Sequence, residues 1–398
     1  MENNKTPSIR FKGFTDPWEQ RKLGDTVQIT MGQSPDGSTY SDVPSDYILV
    51  QGNADLQNGW VSPRVWTSQM TKKADAGDLI MSVRAPAGAM GKTAYNAVIG
   101  RGVAAIKGNE FIYQLLVKMD SDGYWKALSC GSTFESLNSD NIKNADVLIP
   151  DVAEQEKIGE YFRNLDQLIT LHQRKYNKLL NVKKSMLEKM FPKNGSNIPE
   201  IRFKGFTDPW EQRKLNELVI IERGGSPRPI DKFITNDANG LNWVKIGDAP
   251  QQGNYITKTA EKIIPEGLSK TREVHPGDLI LSNSMSFGKP YIMAINGCIH
   301  DGWLLIRDTN KVFDLKFLCQ MLGIEQMLSQ YKALAAGSTV NNLNKELVGN
   351  TNVKIPNIKE QQQIGDYFAN LDNLITLHQR ELEKLQNIKK SMLEKMFV

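Results

Sequence analysis

The sequence predicts an α+β protein in which two mixed, strand-rich globular domains lie at opposite ends of an antiparallel coiled coil of two helices. Three observations lead to this prediction. Blocks of identical sequence occur twice along the 398 residues, the segments between them resemble short strands joined by turns, and a long heptad pattern follows each set of strands. The duplication further predicts that the two halves share one scaffold and are related by a pseudo-two-fold axis.

The internal repeat consists of blocks that occur twice with identical sequence. The three pairs are Ile9–Leu23 with Ile201–Leu215, Leu168–Arg174 with Leu374–Arg380, and Lys183–Phe191 with Lys389–Phe397. The offset between the copies grows from 192 residues in the first pair to 206 in the last, so insertions and deletions lie between the blocks. Loops on a fixed scaffold are where binding specificity usually varies. The repeat therefore predicts one frame that carries two different sets of loops.

Four segments follow from this pattern. They are a first globular domain at residues 1–150, a first long helix at 151–192, a second globular domain at 193–356 and a second long helix at 357–398. Within each domain, short apolar runs such as Val103–Ile106 and Trp303–Ile306 alternate with Gly, Pro, Asn and Asp, which indicates short strands joined by turns. A further helix is expected in each domain, at about 111–128 and about 315–334.

The two long helical segments carry a heptad pattern. From Glu154 to Phe191 there is no proline, and seam residues recur in steps of four and three, as they do again in the second copy. A period of 3.5 residues held this long is typical of a coiled coil, and at about 1.5 Å per residue each helix is on the order of 50 Å long. The seam residues are Leu165, Ile169, His172, Tyr176, Leu179 and Met186 in the first helix and Leu371, Ile375, His378, Leu382, Leu385 and Met392 in the second.

The pairing and direction of these helices can also be inferred. Pro192 ends the first helix and opens a linker into the second globular domain, so the simplest closed arrangement is an antiparallel pair with one domain at each end. His172 and His378 hold equivalent seam positions, and such a polar pair would set the register at some cost in stability. The alternative is two ordinary amphipathic helices that pack separately on their own domains.

Composition narrows the class of protein. The net charge is +4 and the isoelectric point about 8.7, which is compatible with DNA binding but does not by itself indicate it. No apolar run approaches the roughly 18–20 residues of a membrane span and no secretory signal is visible, so a cytoplasmic location is expected. The cysteines Cys130, Cys298 and Cys319 lack metal-ligand spacing and are expected to be reduced, structural thiols.

The sequence carries no recognisable catalytic motif. The most enzyme-like string is Gly88–Thr93, but Pro86 stands where a phosphate-binding loop needs its first glycine. Amino-methyltransferases carry an Asn/Asp-Pro-Pro-aromatic tetrapeptide, which does not occur here. We therefore expect no catalytic residue and no metal site in this chain. Two alternatives stay open: a nuclease or methyltransferase with unrecognised motifs, and a coiled-coil adaptor that does not touch DNA.

An ordered set of motifs occurs in both copies. Its members are the aromatic openings Trp18–Leu23 and Trp210–Leu215, the Gly-x-Ser-Pro turns Gly32–Pro35 and Gly224–Pro227, the Gly-Asp-Leu blocks Gly77–Ser82 and Gly277–Ser282, and the closing segments Glu154–Gly159 and Glu360–Gly365. A heptad helix follows each set. This combination resembles the specificity subunit of type I DNA restriction-modification enzymes, and the resemblance covers most of the chain.

The resemblance implies a definite role. The subunit would bind double-stranded DNA at a bipartite, asymmetric site, with each globular domain reading one half and the coiled coil setting the unread gap. Two modification subunits would dock on it and bring S-adenosylmethionine, and two restriction subunits would add translocation and cleavage that use ATP and Mg²⁺. The chain itself would bind no cofactor and would be catalytically silent.

Candidate DNA contacts are small, hydroxyl, amide or basic residues in the turns of both copies. They are Gln33, Ser34, Tyr40, Arg84, Lys92, Ser132 and Thr133 in the first copy and Ser226, Arg228, Lys232, Lys289, Ser338 and Thr339 in the second. Such groups reach base edges and phosphates. The alternative is that the Gly-Ser-Pro and Gly-Ser-Thr segments are only turn chemistry. Because the Gly-Ser-Thr turns are shared by both copies, we expect them to touch phosphate or shape the turn rather than read bases.

Other prominent side chains are expected to have structural roles. Trp18 and Trp210 lie in an identical block, which favours a core anchor or a docking site over a base contact. The basic residues on the first helix are expected to be solvated or to contact partner subunits; they include Arg174, Lys175, Lys178 and Lys184.

Overall fold

The computed structural model describes residues 6–129, 136–193, 195–250, 252–283, 288–336 and 343–398. These residues form two compact units. The first unit comprises Met1–Gln173 and Glu381–Val398, and the second comprises Arg174–Arg380. The division into four segments stays a prediction, because the units cut across the two long helices.

The first unit contains short strands and helices followed by the start of a long helix. Its strands are β1 (Glu19–Lys22), β2 (Gln28–Met31), β3 (Tyr40–Ser41), β4 (Tyr47–Val50), β5 (Leu56–Gln57), β6 (Trp60–Val61), β7 (Val65–Thr67), β8 (Lys73–Ala74), β9 (Leu79–Ser82), β10 (Met90–Lys92), β11 (Ala97–Ile99), β12 (Val103–Lys107) and β13 (Asp146–Ile149). Its helices are α1 (Leu23–Thr26), α2 (Glu110–Ser121), α3 (Tyr124–Ser129) and α4 (Ser139–Lys143), and α5 (Val152–Lys189) begins in it.

Two mixed sheets and a small antiparallel pair make up the β-structure of this unit. The strand orders are β2-β12-β9-β10-β6-β5, β3-β7-β4-β11-β8 and β1-β13. The central strand β9 is buried at all four positions, of which the first three are apolar. The β1–β13 pair joins the start of the domain to its end, since Glu19 lies opposite Ile149.

The second unit repeats this plan. Its strands are β14 (Glu211–Lys214), β15 (Ile220–Arg223), β16 (Ile234–Thr235), β17 (Leu241–Val244), β18 (Tyr255–Ile256), β19 (Glu261–Ile263), β20 (Arg272–Val274), β21 (Leu279–Ser282), β22 (Pro290–Met293), β23 (Gly297–Ile299), β24 (Trp303–Arg307) and β25 (Asn352–Ile355). Its helices are α6 (Leu315–Leu322), α7 (Glu325–Ala336) and α8 (Lys345–Gly349), and α9 (Ile358–Met396) begins in it. The sheets are β15-β24-β21-β22-β18, β16-β19-β17-β23-β20 and β14-β25. The predicted α+β class and internal repeat are confirmed.

The extra helix predicted in each domain is a pair of helices. In the first unit, α2 and α3 are separated at Gly123, whose φ of +78° lies in the left-handed region that favours glycine. In the second unit, α6 ends at Leu322 and α7 begins at Glu325, so Gly323 lies in the break. The predicted position is therefore correct, but a single continuous helix is not.

An aromatic cluster anchors the first unit. Phe397, near the end of α9, lies with its ring centroid 5.2 Å from that of Phe111 and 6.1 Å from that of Trp18. Glu154 is completely buried beside this cluster. It accepts hydrogen bonds from Arg10 Nε at 2.6 Å and from Trp18 Nε1 at 3.2 Å, and the Glu154 hydrogen bond raises the pKa of Arg10. Of the two roles expected for Trp18, core anchor or docking site, its burial supports the core anchor.

The second unit contains the equivalent cluster. Phe191 lies 5.6 Å from Phe317 and 5.8 Å from Trp210 between ring centroids. The buried carboxylate of Glu360 accepts hydrogen bonds from Arg202 at 2.7 and 2.8 Å, and this interaction raises the pKa of Arg202. Trp210 is therefore also a core anchor. The repeated blocks at the start of each domain and at the end of each helix are identical because they build this cluster twice.

The long helices run antiparallel within each unit. In the first, Asp166 of α5 contacts Lys389 of α9, and the earlier residue Phe162 packs on the later residue Phe397. In the second, Asp372 contacts Lys183 and Phe368 packs on Phe191. Antiparallel pairing is thus confirmed in both units, and separate packing of the helices is excluded there. The knobs-into-holes geometry and the placement of the domains at opposite ends stay predictions.

All twelve predicted seam residues are buried or half-buried. The most buried of them include Leu165, Leu371, Ile375 and Leu382. His172 and His378 are half-buried. Lys183 and Lys389 also make polar contacts between the helices, with Asp372 and Asp166 respectively, and these contacts were not predicted from the sequence.

Two sequence expectations concern the thiols and membrane spans. Cys298 and Cys319 are buried, and burial raises their thiol pKa to about 11 and about 12, as expected for structural cysteines. Cys130 lies outside the described residues. Of the helices in the described ranges, none combines the length and apolar character that crossing a membrane requires.

Candidate nucleic-acid interface

In the first unit, three loops meet around the turn Gly32–Pro35. The Gln33 N–H donates to the Ile99 carbonyl at 2.8 Å, and Thr71 Oγ1 donates to the Gln33 carbonyl at 2.6 Å. The Arg101 N–H donates to Ser34 Oγ at 3.2 Å. These bonds fix the backbone of the turn, while the side chains of Gln33 and Arg101 remain exposed. We call this set of residues, Gly32–Pro35 with Thr71 and Arg101, the first loop cluster.

Neighbouring residues hold the first loop cluster in place. The Val83 N–H donates to the Gly102 carbonyl at 2.9 Å, which brings the exposed Arg84 next to it. A Cβ on Gly102 would lie 2.0 Å from the Gln51 carbonyl oxygen, so only glycine fits. Tyr40 is half-buried and its hydroxyl donates to the Pro35 carbonyl at 3.3 Å. Tyr40 therefore braces the turn from one side, whereas Arg84 extends the cluster.

The second unit builds an equivalent cluster with different side chains. The Gly225 N–H donates to the Ile299 carbonyl at 3.2 Å, and the Asp301 N–H donates to Ser226 Oγ at 3.4 Å. Arg228 is 81% exposed, and its guanidinium lies 3.8 Å from an Asp301 carboxylate oxygen. We call Gly224–Pro227 with Arg228 and Asp301 the second loop cluster. Its turn residue Asp301 occupies the position that Arg101 holds in the first.

Several further cations lie beside the second loop cluster. Lys232 is exposed in a short 3₁₀ segment that follows Arg228. A Cβ on Gly225 would lie 2.5 Å from the Lys270 carbonyl, so the segment carrying Lys270 packs directly on the turn. The Lys270 side chain is exposed and lies 4.7 Å above the ring of Phe233. The surface around the second loop cluster thus presents positive charges that could contact DNA phosphates.

The predicted placement of Lys92 in a loop is wrong. Lys92 ends strand β10, its side chain is 13% exposed, and its ammonium lies 3.0 Å from both oxygens of Glu110. It also lies 4.4 Å above the ring of Tyr113, whose pKa is raised by burial and by the nearby carboxylates. This ion pair neutralises the Lys92 charge inside the unit, so the geometry favours a structural role.

The described residues include Lys289 but not the Gly-Ser-Thr residues. Lys289 is half-buried immediately before β22, with its ammonium 5.0 Å from the ring of Tyr291. Ser132, Thr133, Ser338 and Thr339 lie outside the described residues. Whether any candidate residue contacts DNA stays a prediction.

Sequence reasoning missed several residues of the clusters. They are Thr71 and Arg101 in the first cluster and Asp301 in the second. Lys270 and Asn283, which lie against the second cluster, were missed as well. Arg101 and Asp301 had a visible signal, since both precede a glycine at the turn between two apolar strands, in Gly100–Gly102 and His300–Gly302. Across the described ranges, no group of three or more His, Cys, Asp or Glu residues is arranged to hold a metal ion.

Comparison with known proteins identifies similar sequences and folds. The family profile described as "Type I restriction modification DNA specificity domain" matches residues 15–181 and 207–387. One relative, provisionally named the type I restriction enzyme MjaX specificity subunit of Methanocaldococcus jannaschii, is 28% identical over 182 residues. That alignment covers 43% of this chain and 42% of the relative, so it spans less than half of either protein.

Two solved structures share the fold along nearly the whole chain. The S subunit of a type I restriction-modification system from M. genitalium superposes with a TM-score of 0.64 at 15% identity, over 99% of each chain. A chain from a structural study of complex assembly and conformational transition in a type I R-M system superposes with a TM-score of 0.51 at 18% identity, over 96% of this chain and 97% of that one. At such identities the likeness concerns the fold.

Proposed function

We propose that this chain, which belongs to the type I restriction-modification DNA specificity family, selects the DNA site at which a restriction-modification complex acts. One observation carries the proposal: the two units share one fold, but their loop clusters expose different side chains. Identical readers would recognise a symmetric site. Two different readers on one chain instead suit a bipartite, asymmetric site, with each unit recognising one half.

The side chains of the loop clusters support the assignment of one half-site to each unit. Arginine donates two hydrogen bonds to guanine, and amide side chains pair with adenine. The first loop cluster exposes Gln33 and Arg101, whereas the second exposes Arg228 beside Asp301 and Lys270. Cations that touch phosphate fix position and orientation, and side chains that reach base edges add sequence preference. The two sets would therefore read different bases.

The same proposal assigns a docking role to the long helices. The repeated LITLHQR block exposes a pair of leucines in each unit: Leu168 and Leu171 are each 46% exposed, and Leu374 and Leu377 are 44% and 53% exposed. Exposed apolar residues that recur at matched positions suit a partner surface. We propose that two modification subunits, which would carry S-adenosylmethionine, dock there. Two restriction subunits would supply the activities that use ATP and Mg²⁺, and this chain would remain non-catalytic.

Methylation mapping tests the proposed function. The purified chain alone is expected to transfer no methyl group from S-adenosylmethionine to DNA and to cut no DNA. When it is combined with the modification subunits of its system, methylation should appear at one bipartite motif, and deleting its gene should remove that motif from the genome. Methyl transfer or cleavage by the lone chain would identify it as an enzyme. A methylation pattern that does not change on deletion would favour the adaptor alternative.

Arg101 and Lys92 offer a matched test of the first loop cluster. Arg101→Ala is expected to weaken binding of the complex by about 5–150-fold, the range for a good bidentate base contact. The loss should disappear on duplexes whose first half-site is already scrambled. Lys92→Ala should change DNA affinity little but destabilise the unit, because the Glu110 carboxylate, only 8% exposed, would lose its nearest cation.

Fluorescence anisotropy at one fixed salt concentration, together with urea denaturation, checks both variants. Weaker DNA binding by Lys92→Ala at unchanged stability, with Arg101→Ala unaffected, would reverse the two assignments.

A further inference from the structure

A carboxylate in the first unit joins the two long helices and the globular domain at one point. Asp166 lies on α5, and its Oδ1 accepts a hydrogen bond from Lys389 Nζ of α9 at 2.6 Å. Its Oδ2 accepts a second bond, at 2.8 Å, from Gln114 Nε2 of α2. Gln114 is completely buried, and the side chains of Lys389 and Asp166 are only 18% and 27% exposed. We call these three residues the first junction.

The buried amide of Gln114 is committed to this junction. Its Nε2 donates both to Asp166 and, at 3.0 Å, to Glu110, while its Oε1 is buried without a hydrogen-bond partner. An unpaired buried acceptor costs free energy. The amide is therefore oriented by two carboxylates. Glu110 holds it from within α2, and rotating α2 relative to α5 would break its bond to Asp166.

The second unit forms the same junction from the other copy of each residue. Asp372 of α9 accepts a hydrogen bond from Lys183 Nζ of α5 at 2.5 Å and from Gln320 Nε2 of α6 at 3.1 Å. The lysine and aspartate side chains are each 20% exposed. The arrangement therefore recurs in a unit whose loops and insertions differ from those of the first.

The junction residues occupy matched positions in the two copies. Each helix carries the aspartate in its first half and the lysine in its second half, at an offset of 206 residues between the copies. Because the helices are antiparallel within each unit, the aspartate of one repeat always meets the lysine of the other. A change at one position would break one junction and leave the other intact.

We propose that the first junction and its copy, Asp372 with Lys183 and Gln320, are positioning devices. They fix the register of the helices and the position of each reading domain on those helices. They thereby determine the length of the unread gap in the DNA site. The proposal rests on the proposed function.

An apolar seam alone would not define one register. A slip of one heptad keeps the apolar residues in contact but moves one helix by about 10 Å along the other. At 3.4 Å per base pair, that movement corresponds to about three base pairs. The same slip would separate each aspartate from its lysine and leave charges in a partly buried interface without partners, which is unfavourable. Together with the aromatic clusters around Phe397 and Phe191, the junctions therefore select one register among those that the seam accepts.

Neutral, similarly sized substitutions test the junctions without changing the loops. Lys183→Met and Lys389→Met remove the cation from each junction, and Lys390→Met is a matched control at the adjacent, exposed lysine of α9. The reversed pair Asp166→Lys with Lys389→Asp restores opposite charges in the first junction. Gln114→Leu tests the link to the globular domain alone. Each variant is assembled with modification subunits and given duplexes with fixed half-sites and gaps of different length.

The wild-type complex should methylate one gap length with strong preference. Lys183→Met and Lys389→Met should reduce the discrimination between that gap and its neighbours by about tenfold, in line with coupling energies between contacting residues. The preferred bases in each half-site should not change, and the reversed pair should recover much of the discrimination. Lys390→Met should behave as wild type.

The possible outcomes separate this inference from the proposed function. A wild-type complex that methylates no bipartite motif would overturn the proposed function itself. A wild-type complex with one motif, together with junction variants that discriminate between gaps as well as wild type, would overturn only the junctions' role. Equal loss of discrimination in the Lys390→Met control would do the same. If Lys389→Met fails to assemble, the reversed pair Asp166→Lys with Lys389→Asp is measured in its place. A folded reversed pair that discriminates less well between gap lengths than wild type also counts against the proposal.

Discussion

Phe397→Ala is expected to lower the free energy of unfolding of the first unit by about 3–5 kcal/mol, the usual cost of truncating a buried phenylalanine. The Phe397 side chain is only 3% exposed. Its ring packs against Trp18, Phe111 and Phe162, with centroids 5.2–6.1 Å away. Removing it would open a cavity among rings that come from three separate segments of the chain, and those segments cannot close the gap independently.

The neighbouring residue and the repeat provide controls for this prediction. Val398→Ala should change stability by less than about 0.5 kcal/mol, because Val398 is 42% exposed. Phe191→Ala should match Phe397→Ala in size, because its ring holds the same place against Trp210, Phe317 and Phe368 in the second unit. Urea unfolding followed by tryptophan fluorescence measures all three. A loss below about 1 kcal/mol for Phe397→Ala would mean that the cluster does not anchor the unit.

The frame of this protein could be predicted from sequence because its signals are local or periodic. Heptad steps revealed the helices, and apolar runs bounded by turn residues revealed strands such as β9 and β12. The repeat added direction, since an antiparallel pair closes both copies in the same way. What the pattern did not reveal is the buried carboxylate of Glu154, whose partners Arg10 and Trp18 are 144 and 136 residues away in the chain.

The candidate site was less predictable for the same reason. Gln33 and Ser34 were found because a Gly-x-Ser-Pro turn is visible in the sequence. Arg101 was missed because its link to Ser34 spans 67 residues. Lys92 was misplaced because Gly91-Lys92 resembles a loop, whereas in the structure a lysine at that position pairs with Glu110, 18 residues further on. Convergence of loops depends on strand order, and a single sequence does not determine strand order.

The separation of frame from loops makes a precise exchange possible. The β1–β13 and β14–β25 pairs close each domain at the same points: Glu19 lies opposite Ile149, and Glu211 lies opposite Ile355. Residues 24–145 and 216–351 lie between these pairs and contain the loop clusters. Phe111 in the first segment and Phe317 in the second occupy the same place in the aromatic clusters. Either segment should therefore fit either position in the frame.

A chain in which residues 216–351 replace residues 24–145 is expected to recognise the second half-site twice, as a gapped inverted repeat. Its affinity for the original asymmetric site should fall by about 10³-fold or more, because one reader would then face unrelated bases. The gap should stay as in wild type, since the exchanged segment brings Gln320 to the place of Gln114 and leaves Asp166 and Lys389 untouched. Methylation mapping of the reconstituted complex, with the reciprocal exchange as control, measures the result. A folded chimera that still reads the first half-site would show that recognition lies outside the exchanged segment. A chimera whose recognised bases change in both half-sites would show that the two units do not read their half-sites independently.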